Sequence, residues 1–138
     1  MARYIAFDIG DRRIGVAVSD PFNSYALPSQ TYWRKGLSAD IPALLAIAKE
    51  KGATAIVCGL PLNADGSESQ QTEKTRFFIQ KLTEAADLPV FTADERYTSA
   101  VAHEELYASG KNSRQHKNYV DALAAASILD GYLSSLKN

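Results

Sequence analysis

Thr54-Ala55-Ile56-Val57-Cys58-Gly59 is an unbroken apolar run of strand length. A strand without polar alternation is one covered on both faces, as the central strands of parallel sheets are. Working outward, the chain before it reads as a helix: Ser38 or Asp40 caps it, Pro42 enters it, Leu44, Leu45, Ile47 and Ala48 form its apolar side, and Gly52 stops it. Earlier still, residues 3–9 (RYIAFDI) and 14–19 (IGVAVS) are two strands joined by the polar turn Gly10-Asp11-Arg12-Arg13, a hairpin. Residues 25–32 (YALPSQTY) supply a third strand, which Pro28 confines to an edge or a bulge. After the apolar run, Leu60 to Gly66 reads as a loop and residues 67–86 as a helix burying Phe78, Leu82 and Ala86. Pro89 to Ala93 is another strand, Thr98 caps a helix that Gly110 ends, and a polar stretch from Lys111 to Asn118 leads into a last helix at about 119–136. Three leading strands followed by alternating helices and strands give an α/β fold. Its sheet is five-stranded and mixed, antiparallel in its first three strands and parallel in the later ones, with helices flanking it.

Composition narrows the function classes. The chain has 138 residues, 46% hydrophobic and 22% charged, which suits one globular domain over residues 1–138 and excludes disorder and large two-lobed enzymes. Its 15 basic and 16 acidic residues leave a net charge of −1, so any contact with nucleic acid must rely on a local basic patch. The single cysteine, Cys58, excludes an internal disulfide framework and a multi-cysteine zinc site, and it reads as a core residue rather than a nucleophile. Asp8 interrupts the N-terminal stretch before a secretory apolar region could form, and no run reaches the ~18 apolar residues of a membrane span. A cytoplasmic protein with no membrane partner is expected.

Three acids stand where acids need a reason. Asp8 breaks the first strand, and burying a carboxylate there calls for a metal or an ion pair unless it merely caps the following turn. Beside it, Gly10 permits close approach of a ligand or another backbone. Asp94-Glu95-Arg96 follows the fifth strand, where the carboxyl ends of parallel strands open into a ligand crevice, although a solvated charged turn would read the same way. Asp121 extends the helical ridge Ala125, Ile128, Tyr132 toward the sheet, or else serves the dipole of the helix's first turn. An α/β fold can bring three such acids together, and the set describes a magnesium or manganese site of the kind that clamps the oxygens of a phosphodiester. Lys111, Arg114, His116 and Lys117, just before Asp121, offer the local basic patch for phosphate, with a solvated loop as the bland alternative. His103 reads as a helix-surface residue.

These residues resemble a known family. Phe7-Asp8-Ile9-Gly10, Gly15 to Asp20 (GVAVSD), Gly59-Leu60-Pro61-Leu62-Asn63 with Asp65-Gly66, Asp94 to Ser99 (DERYTS) and Val120 to Ala125 (VDALAA) are similar, in order and from end to end, to the motifs of the YqgF family. That family is known as pre-16S rRNA nucleases and Holliday junction resolvases, with an RNase H-like fold similar to RuvC resolvases. The resemblance implies that Asp8, Glu95 and Asp121 are the catalytic and metal-binding acids with Mg²⁺ or Mn²⁺, and that the segment from Gly59 to Gly66, including Asn63, lies beside nucleic acid. Arg96 is then a phosphate contact or a support for the acids. RuvC-like resolvases carry an acid at the end of the fourth strand, where this chain has Cys58-Gly59-Leu60, so Glu95 substitutes from the fifth. Strand alternation puts Asp94 on one face with Val90 and Thr92, and Glu95 on the other with Phe91 and Ala93. Which of them faces Asp8 is assigned by the resemblance.

The expected function is a metal-dependent nuclease trimming the 5′ end of precursor 16S rRNA in ribosome biogenesis, with precursor rRNA and ribosomal particles as partners. The rivals are resolution of branched DNA, which calls for a two-fold dimer where rRNA trimming is open to a monomer, and a non-catalytic nucleic-acid-binding module. Actin-like phosphotransferases share an Asp-x-Gly loop but need a second lobe that 138 residues do not supply.

Overall fold

The computed structural model describes residues 2–95 and 113–137, and only the backbone of residues 113–118. Five strands, β1 (Tyr4–Ile9), β2 (Arg13–Ser19), β3 (Ala26–Trp33), β4 (Ala55–Leu60) and β5 (Val90–Asp94), form one sheet in the order β3-β2-β1-β4-β5. β1 pairs antiparallel with β2 and β2 with β3, while β4 runs parallel to both β1 and β5. This is the mixed sheet expected from the sequence. β3 is an edge strand, and its register with β2 shifts at Val16/Ala17, where Pro28 enters the ladder opposite Ala17.

Helices α1 (Leu37–Glu50) and α2 (Gln70–Ala85) cover one face of the sheet. Ile41, Leu44 and Ala48 of α1 and Phe78 and Leu82 of α2 bury against Ile5, Phe7, Ile9, Ile14, Val16, Val18, Ile56 and Cys58. The other face is covered by α3 (Ser113–Leu136), whose Ile128, Leu129 and Leu133 pack on Ala6 and Val57, and whose Ala125 and Ala126 pack on Ala17. Alternate residues of β1 therefore serve different layers: Ile5, Phe7 and Ile9 point at α1 and α2, while Ala6 and Asp8 point at α3. Every residue of β4 is buried, because β4 is central and covered twice.

Three helix starts differ from the sequence reading. α1 begins at Leu37, with Pro42 inside it. Asp40 is not a cap: its buried carboxylate accepts from the Tyr32 hydroxyl (2.9 Å), Arg34 Nε (2.8 Å) and the Lys35 amide (2.9 Å). Burial opposes its ionisation, but those donors outweigh it and hold the carboxyl below its usual value. α2 begins at Gln70, after the reciprocal cap formed by Ser69 and Thr72. α3 begins at Ser113, so residues 113–118 are helix rather than loop. That segment has no Gly or Pro, and Arg, Gln and Lys are good helix formers. The helix expected over 98–109 lies outside the described residues.

Candidate active site

Asp8 lies opposite Gly15 in the β1–β2 ladder, on the α3 face of the sheet. Glu95 follows β5 directly, and its amide donates to the carbonyl of Leu60 at 3.2 Å, so parallel pairing with β4 continues one residue past the strand. Val90 packs with the α1/α2 layer and Ala93 with the α3 layer, which puts Glu95 on the face of Asp8. The two carboxyls, of Asp8 and Glu95, are hydrogen-bonded to each other. Burial first, and then the charge of Asp8, push Glu95 well above the usual carboxylate range, so at neutral pH this pair of acids keeps a proton between them.

Two glycines make the arrangement possible. A Cβ on Gly59 would lie 2.7 Å from Cγ and Cδ of Glu95 and 2.5 Å from Cδ1 of Ile128. The side chain missing from the end of β4 is the space through which Glu95 reaches across to Asp8, so the acid supplied by β5 and the glycine in β4 are two halves of one solution. On β2, a Cβ on Gly15 would lie 1.9 Å from the carbonyl oxygen of Asp121, so α3 sits directly on the sheet there. Gly10 serves a backbone contact: a Cβ there would lie 2.7 Å from the carbonyl oxygen of Arg13, across the hairpin turn.

Asp121 lines a cleft of about 270 Å³ together with Asp8, Gly10, Asp11, Arg12 and Arg13. It is held by Arg13, whose Nε donates to Oδ2 at 2.7 Å. Among the described residues no group of three His, Cys, Asp or Glu is close enough to hold a metal ion. The structure therefore joins two of the expected acids directly and brings the third to the same cleft on a guanidinium. Arg13 was not singled out from sequence, and neither was Trp33, whose ring lies under the guanidinium with Cζ 5.5 Å from the centroid. What joins them is register, which only the paired strands show: Arg13 and Trp33 are cross-strand partners.

Asn63 is in the loop after β4, where its side chain donates to Ser67 Oγ at 3.0 Å and its amide to the Ser67 carbonyl at 2.9 Å. Gly59 itself belongs to β4, so the loop begins at Pro61, whose carbonyl accepts from the Thr72 hydroxyl at the head of α2. Arg96 and Lys111 lie outside the described residues, as do the side chains of Arg114 and Lys117 on the first turns of α3. Cys58 is fully buried, and burial pushes its thiol up to about 12, which leaves it inert as a nucleophile.

The model of the RuvX family, described as Holliday junction resolvase, matches residues 2–135 of this chain. The chain belongs to the RuvX family. It is the family that the sequence motifs resembled. Among similar relatives, a protein of Rhodopseudomonas palustris (strain TIE-1) is 39% identical over 132 residues, covering 96% of this chain and 82% of the relative. One of Clostridium novyi is 39% identical over 134 residues, covering 97% and 99%. Both carry the description "Putative pre-16S rRNA nuclease". In fold, the RuvX chain is similar to Thermus thermophilus RuvC, solved in complex with a Holliday junction substrate, at a TM-score of 0.62, 13% identity and coverage of 99% and 96%. It is also similar to the fowlpox virus resolvase, solved with junction DNA, at a TM-score of 0.60, 9% identity and coverage of 99% of each chain. These likenesses establish the RNase H-like fold expected from the resemblance.

Proposed function

We propose that this chain is a metal-dependent nuclease that hydrolyses phosphodiester bonds, with the 5′ region of precursor 16S rRNA as its substrate and Asp8, Glu95 and Asp121 as its metal-binding acids. The observation that carries the reading is the contact between the Asp8 and Glu95 carboxyls, facing α3 and beside a cleft that Asp121 also lines. Two carboxyls forced to share a proton form an oxygen donor set that a hard divalent cation satisfies better than a proton does. The guanidinium on Asp121 marks a place where positive charge is already stabilised. Mg²⁺ or Mn²⁺ bound there would neutralise the scissile phosphate and lower the pKa of a bound water.

The chain's own residues do the rest. Asp8 and Glu95 are fixed by strand pairing, so their positions are set before substrate arrives. Arg13 keeps Asp121 turned into the cleft. Arg96, Lys111, Arg114, Lys117 and Asn63 are the proposed contacts to the phosphates flanking the cleft. The reading places the protein, acting as one nuclease domain, in the cytoplasm with ribosomal precursors. Among the described residues no helix is long and apolar enough to cross a membrane.

The family description favours a second reading, resolution of branched DNA, which requires two copies related by a two-fold axis. Purified protein with Mg²⁺ or Mn²⁺, offered precursor rRNA, single-stranded RNA and four-way DNA, separates the readings, with native mass giving the number of copies. The expected result is cleavage of the precursor, lost in Asp8→Asn protein that still folds. Cleavage in excess EDTA would overturn the proposal.

A further inference from the structure

The nuclease reading leaves open what the substrate strand must look like where it enters the cleft, and one residue that the acids do not use bears on this. Trp33, the only tryptophan, ends the edge strand β3 and is 44% exposed. Its neighbour Tyr32 faces the other way, packing against the α1/α2 core and donating to Asp40. Among the described residues Trp33 takes no part in the hydrophobic core clusters. It is the cross-strand partner of Arg13, whose guanidinium lies over the indole while its Nε holds Asp121 at 2.7 Å. The indole is thus fixed on one side by a residue of the acid cleft and half open to solvent.

Register gives its distance from the chemistry. Asp8 pairs with Gly15 and Gly15 with Thr31, so Trp33 lies two strands across and two residues along from Asp8, on the same face of the sheet. With ordinary strand spacing and rise, that separation is about 12 Å. The sheet continues from Trp33 into a hollow of about 320 Å³ lined by Pro28, Ser29, Gln30, Thr31, Tyr119 and Ala122, where Tyr119 is 46% exposed. Aromatic rings set along a path beside a phosphate-handling cleft are the means by which proteins hold unpaired bases, since every base has a face to stack and a duplex hides it.

We infer that Trp33, clamped by Arg13, is a stacking platform for an unpaired base of the strand whose backbone passes the acid cleft, so that this cleft takes single-stranded nucleic acid on its β3 side. The inference rests on the nuclease reading and deepens it by naming the form of the substrate. Arg13 contributes by locking the indole in place, which lowers the ordering cost of stacking.

Because Trp33 is the sole tryptophan, its fluorescence reports the platform directly. Asp8→Asn protein, used so that RNA is not cut, is titrated in Mg²⁺ with a single-stranded oligoribonucleotide, the same strand in a blunt duplex, and the same strand with abasic positions. Affinities are measured separately by filter binding. The single strand is expected to bind and quench Trp33, the abasic strand to bind with little quenching, and the duplex to bind more weakly without quenching. Adding Trp33→Ala should weaken single-strand binding about tenfold and leave duplex binding unchanged, and Trp33→Phe should recover most of the loss. Single-strand binding without quenching, equal quenching by the duplex, or unchanged affinity in Trp33→Ala would each overturn the platform while leaving the nuclease reading standing. Failure of every RNA to bind, both to this variant and to the unaltered protein held from cutting by Ca²⁺ in place of Mg²⁺, would overturn both.

Discussion

Gly15→Ala tests whether the seat of α3 on the sheet is what delivers Asp121 to the cleft. A Cβ at this position falls 1.9 Å from the carbonyl oxygen of Asp121, 2.4 Å from its carbonyl carbon and 3.1 Å from its Cα. Ordinary contact begins near 3.4 Å, so helix and strand must part by about 1.5 Å, the difference between that contact and the closest approach. The obstructing atoms are backbone, and no change of rotamer relieves them. Overpacking of this kind costs about 1–3 kcal/mol, a fall in Tm of roughly 3–10 °C for a domain of this size. The effect on chemistry should be larger in proportion, because a displacement of about 1 Å at a reacting group can cost about a hundredfold in rate. Thermal unfolding by circular dichroism and cleavage of precursor rRNA, measured on the same preparations, check both halves. Gly131→Ala is the control: it lies on the same helix, nothing stands within 4 Å of its Cβ, and removing a glycine from a helix interior should stabilise by about 0.5–1 kcal/mol. If Gly15→Ala melts and cleaves like the unaltered protein, the close contact between α3 and β2 does not position Asp121.

Two further outcomes follow from the buried acids. Burial and the charge of Asp8 hold the Glu95 carboxyl well above its usual range, so above the ordinary carboxylate value near 4.5 the folded state binds more protons than the unfolded chain and stability falls as pH rises. With metal removed by chelation, Glu95→Gln should therefore melt above the unaltered protein at pH 8 and match it near pH 4, and it should fail to cleave, whereas Asp94→Asn should keep measurable turnover. Cleavage by Glu95→Gln, or an unchanged melting difference across that range, would refute the shared-proton pair. Asp40 works with the opposite sign: its carboxyl is held low, so its contribution is present above the unfolded value near 3.8 and is lost as pH falls through the folded one. Asp40→Ala strands Arg34 and the Tyr32 hydroxyl and should cost about 3–5 kcal/mol at pH 7, read by urea unfolding, and should flatten the acid limb of the stability curve. A loss below 1 kcal/mol would show the network to be dispensable.

Local pattern determined a good deal here. The apolar run through Ile56 and Val57, the hairpin around Gly10 and the proline in β3 carry enough periodicity and turn chemistry to specify strand types, their order and the edge, because these depend on neighbours in the chain. The sign of Asp8 as an acid out of place was equally legible, since a carboxylate in a strand is costly wherever that strand lies. Side-chain alternation separated Asp94 from Glu95 but left the choice of face open, because the face is set by pairing with β4 and by what packs above. Only the folded sheet shows that Gly59 vacates the volume Glu95 fills, that Gly15 lets α3 come down onto β2, and that Asp40, placed by sequence at a helix cap, is a buried anion surrounded by donors. Arg13 and Trp33 were invisible for the same reason: they meet by register across two strands, and residue types alone do not encode which partner a ladder places opposite. Chemistry that depends on distance along the chain can be read from the sequence, whereas chemistry that depends on distance across the sheet exists only once the strands have paired.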